Sequence, residues 1–483
     1  MTSRSVQRPE HSLLRRKSIA AMLASSRGEG DEARLERSMS MVSLMMIGVG
    51  ATIGTGIFFV MAVTVPKAGP GVLLTFLLVG VIVSLTALCY AEVASKIPVS
   101  GSAYAYSFAS LGELPAYLVG WALILEYGVA GAATSVGWGE YFNSFIDDAF
   151  GVRIPDALNA GALAEDPGVI NLPAVVLVGM CCLLLLRGAK ESARANAIMV
   201  MVKLGVLALF IVISYTAFNS DNLTPFLPFG FAGVGAAVPA IFFTYIGVDA
   251  VSTAGEEVKN PNRSIPIAIF GAVALVTLFY FLVAVGALGS QPLAKFGGQE
   301  AGLAAILTEI TGNKVPALIL AAGAVISIFS VTLITIYGQT RILFAMGRDG
   351  MLPKMFKQVD QRTLSPNKNV IFTCSFIAVL AAIVPIDKLF DLVSIGTLAA
   401  FIVVSLTVII LRRDRPELKG TGFELPFGPV IPVLSVLACL WAATQIALVT
   451  WISVGLWILL ALVLYFAYAR SHSILAPGAG SGS

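Results

Sequence analysis

The chain has 483 residues, of which 57% are hydrophobic and only 12% charged, with a net charge of +3 and a mean hydropathy of +0.88. Average soluble domains carry about 25% charged residues, so this composition excludes a soluble fold with an ordinary surface. It also lacks a polybasic run interleaved with aromatics, which excludes nucleic acid as a partner.

In chain order, residues 1–40 form a polar tail of mixed charge. Within it Leu13, Leu14, Arg15, Arg16, Lys17, Ile19, Met22 and Leu23 have the spacing of a short basic amphipathic helix lying on the inner leaflet, with plain disorder as the alternative. The first apolar run begins near Met41, so it reads as a retained helix and not as a secretory signal. Uncharged stretches near the ~20 residues that cross a hydrocarbon core as helix then recur. They predict an all-α polytopic membrane protein with twelve spans, at 41–63, 71–95, 115–146, 169–186, 195–217, 235–255, 267–289, 316–344, 370–384, 389–411, 429–449 and 451–469. Thr450 barely parts the last two, but a run of about forty apolar residues is too long to cross once, so a hairpin is expected there. The final Gly-Ala-Gly-Ser-Gly-Ser has linker composition.

Basic residues set the orientation. Of the 31 Lys and Arg, only Lys67, Arg153, Lys295, Lys314 and Lys388 fall on the side opposite the N-terminus, and Lys203 lies within a span. The positive-inside rule then puts both termini in the cytoplasm of a protein expected in the cytoplasmic membrane. The loop after span three is instead acidic, with Asp147, Asp148, Asp156, Glu165 and Asp166. Cys89, Cys181, Cys182, Cys374 and Cys439 all lie in apolar segments without disulfide or zinc spacing, and His11 and His472 lie outside every span. No metal, no cofactor and no enzyme chemistry is expected from such a set.

Span one carries four glycines in nine residues, from Gly48 to Gly56. Each costs about 1 kcal/mol against Ala in a helix interior, and unwound backbone at mid-membrane survives only where it lines a cavity. One reading is a discontinuous helix. Its second half starts near Thr55 and Gly56 with free amides suited to a carboxylate, and its first half ends near Gly50 to Thr52 with carbonyls suited to an ammonium or a small cation. The other is close helix packing through Gly48, Thr52 and Gly56, which have small-xxx-small spacing. Span six shows a second interrupted stretch, Phe242 to Gly255 with Gly247 inside it, five spans after the first. Paired interruptions in corresponding halves point to a transporter site built on an inverted repeat, here residues 41–217 and 235–411, with 429–469 as additions and 470–483 as a cytoplasmic tail.

Charges at bilayer depth are costly unless paired or hydrated, and four lie within the spans: Glu92, Glu126, Lys203 and Asp249. Lys203 is a candidate proton-coupling group. It can hold carbonyls at the break in span one and release its proton when the site desolvates, since burial disfavours the charged form. A fixed ion pair or snorkelling to the interface are the alternatives. Glu126 and Asp249 are candidates for substrate or proton binding, against simple interhelical hydrogen bonding. Glu92, one turn from Lys96, reads as a cytoplasmic ion pair.

Several motifs stand in order along the chain: Ile47-Gly-Val-Gly-Ala-Thr-Ile-Gly-Thr-Gly-Ile57, Tyr90-Ala-Glu, Pro98-Val-Ser-Gly-Ser-Ala-Tyr104 and Trp121 with Glu126-Tyr127-Gly128. Phe242-Phe-Thr-Tyr-Ile-Gly-Val-Asp249, Glu256-Glu-Val-Lys-Asn-Pro261, Gly338-Gln-Thr-Arg341 and Arg348-Asp-Gly-Met-Leu-Pro353 follow. From about Ser43 to Arg470 the chain resembles the amino acid-polyamine-organocation (APC) superfamily, and within it the bacterial relatives of the cationic amino acid transporters. That resemblance implies a five-plus-five inverted repeat with helices one and six discontinuous. It implies substrate held by the backbone of Thr52, Ile53, Gly54, Thr55 and Gly56, with Thr55 and Gly56 amides on the α-carboxylate and the carbonyls of Thr52 and Ile246 on the α-amino group. Phe243 looks like an aromatic gate, and Lys203 matches the span-five lysine of proton-coupled members. Thr52 stands where a larger apolar residue is common and Thr244 where a smaller one is, so both bear on the side-chain pocket.

The expectation is a secondary active transporter of L-amino acids, cationic or small and neutral, moved with protons by alternating access in a lipid bilayer. Exchange of amino acids or polyamines without protons, and sodium coupling, are the rival mechanisms. An ion channel would need a continuous polar pore, whereas the few charged residues here stand singly, and a small single-span membrane partner is not readable from the chain.

Overall fold

In the computed structural model the described residues are 13–27, 37–164, 167–247, 249–297, 302–384, 386–446 and 448–476. His11, Glu165 and Asp166 lie outside them. The described chain is helical throughout, with one isolated bridge between Met39 and Val258. Its helices are α1 (Ile19–Arg27), α2 (Met41–Thr52), α3 (Thr55–Ala68), α4 (Val72–Lys96), α5 (Ser102–Ser110), α6 (Glu113–Phe150), α7 (Asp156–Asn159), α8 (Leu172–Leu186) and α9 (Ala189–Thr216). They continue as α10 (Gly230–Thr244), α11 (Ala250–Thr253), α12 (Pro261–Ser290), α13 (Gly302–Thr311), α14 (Lys314–Arg348), α15 (Asn367–Ile383), α16 (Ile386–Asp414), α17 (Val430–Ala443) and α18 (Leu448–Leu464).

Among the described residues, seven helical stretches are long and apolar enough to cross a membrane, with shorter apolar helices among them. This is a multi-pass membrane protein. Its outer surface fits a lipid solvent: Leu448, Trp451, Ile452, Leu456, Leu459 and Val463 of α18 are exposed, as are Leu77 and Val81 of α4 and Ile198 and Met201 of α9. Such a belt would be a liability in water.

At the centre α6 packs against α14 and α16, α4 against α12, α3 against α10, and α2 against α12 and α9. Lipid tails supply no hydrophobic drive between helices, so close packing through small residues must hold such rods together. One end of the molecule gathers Lys96, Lys259, Arg348 and Arg412 and is called the basic end below. There Met39 N–H donates to Glu257 O at 2.9 Å and Lys259 N–H to Met39 O at 3.2 Å, tying the start of α2 to the segment after α11.

Three expectations need correction. The turn near the C-terminus lies at Thr444 to Ile446, and Thr450 is inside α18. The basic tail segment does not form one amphipathic helix: Leu13 to Lys17 precede α1 as non-helical chain, and Arg15 and Lys17 reach protein carboxylates. The second half of span six is also shorter than expected, a four-residue α11 and then a 3-10 turn at Gly255–Glu257.

Candidate functional site

The first break forms where α2 stops. Thr52 turns its hydroxyl back to Gly48 O at 2.8 Å, Ile53 is extended at φ −76° and ψ 101°, and α3 restarts at Thr55 after Gly54 at φ −149° and ψ −144°. At 1.5 Å per residue the 12 residues of α2 span about 18 Å, so the break falls within the ~30 Å core. No side chain caps α3, and its first amides therefore lack the partner that a Ser, Thr or Asp would supply. Both sequence readings of the glycines have a counterpart here. The helix is interrupted, and a Cβ on Gly56 would lie 2.8–2.9 Å from Thr244, including its backbone, so the close approach of α3 to α10 needs glycine.

The second break follows Thr244. Tyr245 leaves the helix, Gly247 takes φ +105°, and α11 begins at Ala250. A Cβ on Gly247 would meet the Ala51 carbonyl oxygen at 2.8 Å, so the two breaks lie against each other. Tyr280 of α12 joins them. Its buried hydroxyl reaches Thr52 O at 2.8 Å and Thr244 O at 2.9 Å, the terminal carbonyls of α2 and α10.

Between the breaks lies a cavity of about 30 Å³ lined by Thr52, Gly54, Gly56, Glu126, Phe243, Thr244 and Ile246, with Tyr127, Thr134, Val331 and Thr335 beside them. On the scale where one water needs about 10–15 Å³, it holds roughly two waters. A solute much larger than that enters only after the walls move apart.

One carboxylate lines this cavity and a second is bonded to its wall. Glu126 accepts from Thr397 Oγ1 at 2.5 Å and Asp249 from the Tyr127 hydroxyl at 2.5 Å. Both are buried, and among the described residues Glu126 Oε2 and Asp249 Oδ1 have no hydrogen-bond partner. An unmatched buried carboxylate oxygen is costly; a proton or a cation would satisfy it.

Lys203 lies in α9 with no exposed surface. Its Nζ donates to Gly50 O at 3.1 Å and Ile53 O at 2.5 Å, and Ser327 Oγ donates to Ile53 O at 3.2 Å. Among the described residues its partners are carbonyls and not a carboxylate, and the burial leaves no route for snorkelling. Glu92 does pair with Lys96 at 3.1 Å, and Arg412 adds a two-pronged contact at 2.9 and 2.5 Å.

Polar contacts hold the segment that continues from the cavity wall at Ala250. Ser252 bonds Ser102 at 2.9 Å. Glu256 accepts from Ser100 N–H at 2.8 Å and from both Arg348 terminal nitrogens at 2.8 and 3.1 Å. Glu257 accepts from Tyr337 at 2.6 Å and from Arg341 at 2.9 Å. Burial alone raises the Glu256 carboxyl, yet Arg348 and Ser100 outweigh it and hold the group below the ordinary glutamate value of 4.5.

The structure thus brings Thr52, Gly54, Gly56, Glu126, Phe243, Thr244 and Ile246 to one cavity, with Asp249 bonded to its Tyr127 wall and Lys203 behind it on the Ile53 carbonyl. Thr55 contributes backbone at the start of α3. Sequence reasoning missed Tyr280, Ser327, Thr335 and Tyr127. A lone hydroxyl in an apolar helix was the available signal, but such hydroxyls usually bond back to their own helix, as Thr64 does to Val60 O.

A model of the amino acid permease family matches residues 39–476. The chain is 41% identical over 466 residues to the branched-chain amino acid permease BcaP of Bacillus subtilis, covering 96% of this chain and 99% of that one. It is 40% identical over 466 residues, with the same coverage, to a methylthioribose transporter of Bacillus subtilis. It is also 35% identical over 417 residues to the vacuolar cationic amino acid transporter 2 of Arabidopsis thaliana, covering 84% of this chain and 64% of that one.

Proposed function

The chain belongs to the amino acid permease family, within the APC superfamily, and from that premise we propose that it is a secondary active transporter of L-amino acids that works by alternating access and couples to protons. Twelve spans with residues 41–217 and 235–411 as oppositely oriented halves, and both termini in the cytoplasm, complete the proposal. The observation that carries it is the meeting of two helix breaks at one buried cavity.

A zwitterion carries the same two charges whatever its side chain. The uncapped amides of Thr55 and Gly56 suit the α-carboxylate, because a helix start concentrates positive potential there. The carbonyls of Thr52 and Ile246 suit the α-amino group, and Phe243 closes over the ligand. Selectivity falls to Thr244, Glu126 and Asp249. A cationic side chain such as that of Arg or Lys would pair with the unmatched carboxylate oxygens, whereas a small neutral one would leave Glu126 and Asp249 to carry protons. The relatives' names span methylthioribose, branched-chain amino acids and cationic amino acids, and Glu126 at the cavity with Asp249 behind its Tyr127 wall supports the cationic side of that range.

Lys203 supplies the proton coupling. As an ammonium it holds the Gly50 and Ile53 carbonyls and so the geometry of the first break; as an amine it would lose the charge that strengthens both bonds and hold them more weakly. In proteoliposomes an inward proton gradient should accelerate uptake of at least one labelled amino acid. Intact exchange without acceleration would leave an exchanger, and a sodium requirement would remove the lysine's role. A thermal-shift screen of the purified protein against the amino acids and polyamines identifies the substrate, since a ligand that binds only the folded state raises its apparent stability.

A further inference from the structure

The non-helical segment before α1 is held at the basic end by three successive side chains on three different elements. Arg15 donates to Glu113 at the start of α6 at 2.9 Å and to Leu475 O at 2.5 Å. Arg16 donates to Asp414 at the end of α16 at 2.6 Å. Lys17 donates to Asp349, next to the end of α14, at 2.5 Å, and the other Asp349 oxygen accepts from Tyr104 of α5 at 2.9 Å.

Backbone contacts set the register of this segment. Lys17 N–H bonds Phe108 O at 3.2 Å and Leu114 N–H bonds Leu13 O at 3.1 Å. Gly112, at φ +112°, lets Leu14 approach so closely that a Cβ there would lie 2.7 Å from the Leu14 backbone. Ile19 and Met22 of α1 are buried behind the charged anchors. Glu113 and Asp349 are also buried, and apart from this segment their side-chain partners are the hydroxyls of Tyr465, Ser473 and Tyr104. The dock is therefore three carboxylates, each taking a basic side chain of the tail, with Arg348 next to Asp349 and Arg413 and Arg415 on either side of Asp414.

The three anchors connect to the segment that continues from the cavity wall. Asp349 directly follows Arg348, which grips Glu256, while α5 presents Ser102 to Ser252 and the turn before it presents Ser100 to Glu256. Residues 250–258 run from the cavity wall at Ala250 to the contacts of Glu256 with Ser100 and Arg348. We propose that residues 13–23 are a releasable latch: seated in the dock they hold α5, α6, α14 and α16 as one frame for that segment, and their release favours opening toward the cytoplasm. Arg16–Asp414 is the half-exposed end of the latch and Lys17–Asp349 its buried end. The proposal rests on the alternating-access reading above.

The test uses the purified full-length protein and hydrogen exchange read by mass spectrometry at residues 97–112 and 249–259. Arg16→Asp and Asp414→Arg, each alone, should speed exchange there by about fivefold, the lower range of measured coupling between sites, and the double reversal should restore the native rate. A chain lacking residues 1–27 should exchange as the single variants do and regain protection when a synthetic peptide of residues 11–27 is added. Native exchange rates in the single variants, or a double reversal that does not restore them, would overturn the latch, as would failure of the peptide to bind the shortened chain. Melting temperatures measured alongside identify a variant that fails to fold, and the peptide arm then decides. No substrate is needed, so a failure to transport amino acids is read separately in proteoliposomes.

Discussion

At the scale of single residues, Lys203 and Tyr280 make different demands on the first break. Lys203→Met removes two charge-assisted bonds, each worth about 1.5–3 kcal/mol. Uptake in proteoliposomes should then stop responding to an imposed pH gradient while exchange of substrate for substrate persists. Tyr280→Phe leaves the Thr52 and Thr244 carbonyls without the hydroxyl and should lower unfolding stability by about 1–3 kcal/mol, read as a drop in melting temperature in detergent. Lys203 was legible in the sequence because a lone cation in an apolar run has no cheap place to go. Tyr280 was not, since a tyrosine in such a run is satisfied equally well by lipid headgroups, water or a neighbour, and only the fold selects among them.

The helices and their ends obey a second logic. Clustered glycines announce the break after Thr52, where the cost in helix propensity accumulates over a few residues. The second half of span six reads as a longer helix than it is, because Val251, Ser252 and Thr253 are apolar or small enough for one, yet Ser252 and Glu256 are drawn instead into bonds with Ser102 and Ser100. The tail departs from its expected helix for a related reason: its basic residues find buried carboxylates on the protein, which no reading of the tail alone could supply. The Glu256–Arg348 contact has a pH signature. Its carboxyl is depressed in the folded state, so its stabilisation is complete above the ordinary value of 4.5 and is lost as pH falls through the lower folded value. Melting temperatures followed down through that range should fall less in Glu256→Gln than in the native protein, whose starting advantage disappears.

For the molecule as a whole, the charge asymmetry and the apolar belt make a prediction about orientation. A green fluorescent fusion after Ala476 should fluoresce in cells and an alkaline phosphatase fusion there should be silent, with the opposite result for fusions in the acidic loop near Phe150. Fluorescence at both places would mean a miscounted crossing and would undo the inverted halves. That apolar runs recur along most of the chain was readable because hydropathy along a chain directly reflects a low-dielectric solvent. How the rods pair was not, since every lipid-compatible face looks alike before packing selects among them.

The bond from Tyr280 bears on the two carbonyls it joins. A phenol has a single hydrogen to offer, and here two terminal oxygens compete for it at 2.8 and 2.9 Å. Whichever way the hydroxyl rotates, it can point squarely at only one of the two, and on the proposed reading the other is where a substrate's ammonium would bind. The ring acts as a placeholder shared between two seats, and a newcomer with three hydrogens can fill the seat it leaves.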